Sequence, residues 1–126
     1  MKITRIYADE QGESHMDEKH IELTDAGEIG CLSEPIAARS VIFRRNSPDY
    51  DYDWHVAPQK QLVVLLDGAI EIEASDGARR TLRGGEILLA EDTNGRGHRT
   101  RNVEQRERPS LFITLDESRA ILQDDR

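Results

Sequence analysis

The chain lacks most of what would mark a secreted, membrane-spanning or nucleic-acid-binding protein. It has one cysteine, Cys31, among 126 residues. No internal disulfide can form, so nothing demands an oxidising compartment. Its neighbours Gly30, Leu32 and Ser33 supply no local base that would make it a nucleophile. No stretch approaches the roughly 20 apolar residues of a membrane helix. No apolar run follows Lys2, so a signal peptide is not expected and the cytoplasm is the expected location. Positive charge is short: 17 Lys and Arg face 25 Asp and Glu, a net charge of −8. A protein without a cationic face cannot release counterions from phosphate, which argues against non-specific nucleic-acid binding. The arginines from Arg96 to Arg108 sit among glutamates, so they are not expected to form a nucleic-acid site, and Arg99 and Arg101 read as a solvated or interface face. Helix-type periodicity is nearly absent. A hydrophobic share of 37% against 33% charged suits a thin-walled barrel or sandwich better than a multilayer fold.

What is present is a series of short strands. Met1 to Tyr7 and Arg39 to Arg45 are β-rich, and Ile21-Glu22-Leu23 is a further short candidate. Ala8 to Lys19, polar and acidic and carrying His15, reads as a loop or arm. Gln61 to Leu66 is a strand whose run from Leu62 is apolar on both faces, so both should be covered. Asp67-Gly68 and Asp76-Gly77 are hairpin turns. Between them Ala69 to Ala74 alternates, with Ile70 and Ile72 inward and Glu71 and Glu73 outward. Ala78 to Leu82, Glu86 to Ala90, His98 to Asn102 and Leu111 to Leu115 complete the set, and Asp116 is placed to cap a short helix through Leu122. One all-β domain over residues 1–126, a sandwich or barrel, follows.

Chemistry concentrates in two stretches. Trp54-His55-Val56-Ala57-Pro58-Gln59-Lys60-Gln61 leads into the apolar strand that turns at Gly68, and Gly95-Arg96-Gly97-His98 leads to Asn102. His98, Thr100 and Asn102 fall on one face of their strand, with Arg99 and Arg101 on the other. The order of features resembles the cupin superfamily, whose first motif is His-x-His, three or four residues, Glu, six residues, Gly. His55 stands at the first histidine, Ala57 at the second, Gln61 at the glutamate and Gly68 at the glycine. The second motif runs from a glycine through Gly-x-x-His to an Asn four residues on, matched by Gly85, Gly95, His98 and Asn102. The two motifs span about residues 54–102.

The resemblance implies a cupin-like barrel (double-stranded β-helix, or jelly roll), a small-molecule pocket on His55, Gln61 and His98, and a homodimer. Leu62, Val64 and Leu66 would serve that pairing if they face outward. It also implies a divalent transition metal, Zn, Fe, Ni or Mn, at His55, Gln61 and His98. Yet Ala57 and Gln61 stand where the family pattern has a histidine and a glutamate. A site without a carboxylate neutralises a cation poorly, so a metal-free pocket in which these three side chains hydrogen-bond a ligand stands beside the metal reading. His55 and His98 are the candidate acid–base residues, with Asp92 beside them; Glu91 reads as a plain loop carboxylate. Trp54, Tyr52, Gln61 and Asn102 are candidate substrate contacts. Trp54 either walls the pocket or packs in the core, and Tyr50 and Tyr52 either line the mouth or lie on the surface. Two functions follow: a cupin-like enzyme of dioxygenase, isomerase or lyase type, or a binding or sensing module without chemistry.

Overall fold

The computed structural model describes residues 1–118, and the chain is all-β there, with one 3-10 turn at Gly27–Ile29. Strands β1 (Lys2–Ala8) and β2 (Ser14–His20) form a hairpin. A two-residue ladder joins β3 (Thr24–Asp25) to β4 (Cys31–Leu32). There follow β5 (Ala38–Asn46), β6 (Asp51–His55), β7 (Gln61–Leu65), β8 (Ala69–Ala74), β9 (Arg79–Arg83), β10 (Ile87–Ala90), β11 (His98–Asn102) and β12 (Arg108–Leu115). Six of them make a sheet in the order β2-β1-β10-β7-β12-β5, and four make a second in the order β6-β11-β8-β9.

The sheets face each other across the main core. Ile6, Val63, Leu65, Leu88 and Ala90 from the first pack with Ile70, Ile72, Ala74 and Leu82 from the second. A fully buried Leu, Ile or Val contributes about 1.5–3 kcal/mol, so these few layers are the main force holding the sheets together. A smaller cluster of Ile3, Leu89 and Leu115 lies apart from it, with Ile21, Ile36, Leu62 and Ile87 packed against it. The apolar run of β7 is therefore packed on both faces, as its composition demands.

Two sequence expectations need correcting. The polar segment from Ala8 to Lys19 is no arm, because β2 pairs with β1 along its whole length. Asp9 Oδ1 accepts hydrogen bonds from the backbone N–H of Gln11 and Glu13 at 2.9 and 3.0 Å and folds the turn. The strand tolerates its polarity because it is a sheet edge whose charges are answered across the ladder. Arg5 donates to both Asp17 oxygens, at 2.8 and 2.5 Å. Ile21 to Leu23 forms no strand; the ladder begins at Thr24. The helix expected from Asp116 to Leu122 falls mostly outside the described residues. Within them, Ser118 N–H and Oγ donate to Asp116 Oδ1 at 3.1 and 2.6 Å in a turn.

Candidate functional site

Between the sheets lies a cavity of about 590 Å³, within the range of small-molecule sites. His55, Gln61, Tyr52 and His98 all line it. The two imidazoles, 43 residues apart in the chain, sit in edge contact with ring centroids 4.4 Å apart.

A β-bulge produces that contact. His98 pairs with His55 and Thr100 with Tyr52, so Asp53 and Trp54 on β6 oppose the single Arg99 on β11. Strict alternation would put Tyr52 and Trp54 on one face and His55 on the other. The extra residue reverses this, as bulges do. Tyr52 and His55 now stack face to face at 3.8 Å. Trp54 is outside the cavity lining, 41% exposed, with the Arg99 guanidinium 5.9 Å from its ring centre. The structure thus places Trp54 neither in the cavity nor in the core. His55 Nδ1 lies 2.8 Å from the Asp53 carbonyl inside the bulge. A carbonyl only accepts, so Nδ1 carries the proton and Nε2 keeps its lone pair while the ring is neutral. Burial, more than any neighbour, lowers the His55 pKa and favours that neutral form.

His98 is held from behind. Its Nδ1 lies 2.5 Å from Oδ2 of Asp92, which is fully buried. An ionised carboxylate can only accept, so Nδ1–H donates and Nε2 is the nitrogen left for the cavity. Asp92 comes from the loop before β11 and does not line the cavity. Its backbone carbonyl accepts from Ala57 N–H at 3.1 Å, which ties the two sequence motifs together. Gly97 makes the approach possible: a Cβ there would stand 2.1 Å from the His55 carbonyl oxygen. Glu91 faces away and pairs with Arg5 at 3.4 Å.

Asn102 lies outside the cavity lining. Its amide donates to the carbonyls of Ser47, Pro48 and Arg106 at 3.1–3.2 Å, and its Oδ1 accepts from Arg108 Nε at 3.1 Å. Arg99 and Arg101 do point away from the cavity, beside Glu73 and Glu71. For a metal, the donor set is two imidazoles and the Gln61 amide. Ala57 contributes no donor, and Asp92 is committed to His98. Among the described residues no group of three or more His, Cys, Asp or Glu is arranged to hold an ion. This set does not fit a tightly held resident cation, which needs its charge answered.

Sequence reasoning missed the arginines. Arg44 and Arg108 line the cavity with Asn46 and Tyr50. Arg108 is 1% exposed. Burial and, secondarily, Arg44 bring its pKa down to about 10. Burial lowers Arg44 too. Strand alternation was the available signal, since the register puts Arg44 opposite Ser110 and Asn46 opposite Arg108 on inward positions of β5 and β12.

No family model matches the chain, and no curated protein matches its sequence. Among solved structures it is similar to a cupin domain from Bordetella pertussis Tohama I, at 22% identity over 60% of this chain and 79% of that one, with a TM-score of 0.47. The cupin domain of Schizosaccharomyces pombe Cnp3 aligns over 94% of this chain and 85% of its own, at 11% identity and a TM-score of 0.48. A Neisseria meningitidis protein aligns at 19% identity over 65% of this chain and 81% of its own, with a TM-score of 0.44. The likeness is one of fold.

Proposed function

We propose that this chain binds a small organic molecule between its sheets and acts on it by proton transfer at His55 and His98. The observation that supports this most is the buried Asp92–His98 pair beside a cavity that also holds a neutral His55. A general base needs a lone pair at a fixed place and a stabiliser for the charge it acquires. Asp92 answers both needs. It fixes the His98 tautomer, leaves Nε2 free to take a proton, and offsets the imidazolium that forms. Tyr52 stacked on His55 holds the second ring. Isomerisation and elimination are the reaction classes that proton movement alone performs. In a metal-dependent version, including dioxygenation, Zn, Fe, Ni or Mn would be held by His55, Gln61 and His98. The donor set argues against it, and no step here runs through a metal.

The rival is a binding or sensing module. One observation favours it: among the described residues no Asp or Glu lines the cavity, so the histidines have no carboxylic acid across from them there. Incubating the protein in D2O with a panel of small carboxylic acids, phenols and sugars separates the two. Solvent deuterium entering a bound compound, lost in a folded His98→Ala variant, is the expected result. Exchange that survives His98→Ala ends the enzyme reading, and binding without exchange hands the case to the module.

The facing sheets are taken as the cupin barrel, and residues 1–126 as one domain in the cytoplasm. A homodimer is supported by the outer face of the six-stranded sheet. Phe43, Leu111 and Val64 form one cross-strand row there and Val41 and Ile113 the start of the next, while Ile87, Leu62 and Leu89 on the same face are already packed in the smaller cluster. Phe43 is 82% exposed at the β5 edge, an apolar surface that a second copy would cover.

A further inference from the structure

The wall of the cavity supplied by β5 and β12 carries polar groups that nothing else uses. Arg108 is buried, and its Nη1 and Nη2 have no hydrogen-bond partner among the described residues. Both side-chain atoms of Asn46, also buried and directly across the ladder, lack one as well. Arg44 spends its Nε on Ser110 Oγ at 2.9 Å and lies over the Phe112 and Tyr50 rings at 4.4 and 5.6 Å. Neither Arg44 nor Arg108 has an ion pair among the described residues, and the cavity lining contains no carboxylate. In a chain with a net charge of −8 this is a local excess of positive charge. A buried cation with nothing to answer it costs several kcal/mol, so folding alone gives no reason to keep Arg108 there with the half-buried Arg44 close by. Space is also reserved for Arg108: a Cβ on Gly68 would stand 3.0 Å from its Cγ and Cδ.

We propose that Arg108, Arg44 and Asn46 form a subsite for the anionic group of the cavity's ligand, a carboxylate or a phosphate on an organic body. The inference rests on the pocket reading above and adds the ligand's chemical class. The Nη pair of Arg108 presents two parallel donors, which match two oxygens of either anion. The Asn46 amide donates a third hydrogen bond. Val63, Leu88 and Phe112 line the same cavity and suit an apolar body. The histidine end follows from β11, which carries His98 at one end and Asn102, the partner of Arg108 Nε, at the other. Four residues of strand span roughly 13 Å, so the ligand presents its reacting carbon to His98 while its anion is held at Arg108.

The test uses matched probes on the full chain: phenylacetate, its uncharged twin phenylacetamide, phenyl phosphate and inorganic phosphate. Binding is followed by calorimetry and by the side-chain Nε–H resonance of Arg108. Expected results are binding of one organic anion at least tenfold tighter than the amide, and loss of that preference in Arg108→Met. A second variant guards against a misfolded first. Asn46→Asp places a carboxylate beside Arg108, so it should raise the melting temperature and abolish anion binding. Phenylacetate favoured over phenyl phosphate assigns a carboxylate ligand, and the reverse a phosphate. Inorganic phosphate binding as well as either would overturn the claim of an organic body. Charged and neutral probes binding equally in the cavity would sink the anion subsite and leave the pocket reading intact. No probe of either charge shifting Arg108, His55 or His98 would sink both.

Discussion

The two ends of the cavity are built on opposite rules. At the histidine end both rings are held: Asp92 Oδ2 holds His98, the Asp53 carbonyl holds His55, and Tyr52 stacks upon it, while Asp92 Oδ1 alone has no partner among the described residues. At the arginine end Asn46 and the Nη atoms of Arg108 are buried and unanswered. A cluster whose rings are fixed by hydrogen bonds and stacking is preorganised for chemistry. An unanswered one costs stability until a ligand arrives. The contrast teaches that in this domain rigidity is placed where protons would move, and electrostatic debt where an anion would land.

The largest expected effect attacks the histidine end through the backbone. Gly97 has φ +74°, and a Cβ there would meet the His55 carbonyl at 2.1 Å. Gly97→Val must move β6 or break the bulge. A loss of more than about 3 kcal/mol in urea unfolding is expected. A loss under 1 kcal/mol would show that the two motifs are not locked together. Next comes Asp92→Asn, which keeps the shape behind His98 and removes the charge. Removing the charge that supports a general base is expected to cost a large part of the roughly 10²–10⁴-fold that such catalysis contributes, with Tyr52 and His55 undisturbed. Deuterium exchange into bound substrate reads the drop, and an unchanged rate would demote Asp92 to packing. At the other end the sign reverses. Arg108→Met, an apolar side chain of similar length, should leave the ligand-free protein as stable as before or about 1 kcal/mol more so. Destabilisation beyond 2 kcal/mol would mean that Arg108 is kept for the fold.

How much of this was legible follows the same division. Ala69–Ala74 and His98–Asn102 emerge with the bounds their alternation predicts, because each has one buried and one wet face. His55 and His98 could be singled out because the order His55, Gln61, Gly68 and then Gly95, His98, Asn102 resembles that of the two cupin motifs. Trp54 could not be placed, since a bulge is invisible to a period-two pattern and one inserted residue exchanges the faces. The β2 strand hid because its apolar content is low, its stability coming from pairs such as Arg5–Asp17 that exist only after the hairpin forms. Arg108 hid for a related reason. An arginine among Glu104, Arg106 and Glu107 looks solvated, and only the pairing of β12 with β5 carries it inside.

The smallest effect concerns pH and sets two histidines against each other. Burial is the main cause that lowers the His55 pKa, whereas hydrogen bonds to Asp9 and then Asp76, at 2.7 and 2.9 Å, raise that of His15. For His55 the unfolded chain binds its proton first, near pH 6.5. The native state therefore loses stability as pH falls from about 6.5 toward the lower folded pKa. For His15 the native state binds first. Its contribution is complete below about pH 6.5 and fades as pH rises through the higher folded pKa. Urea midpoints between pH 5 and 8 should accordingly show His55→Gln gaining on the wild type as the solution is acidified, and His15→Gln losing ground over the same change. Parallel curves for the two variants would mean that both rings see equivalent surroundings, and the contrast between a buried ring inside the cavity and a paired one on the edge strand would fail.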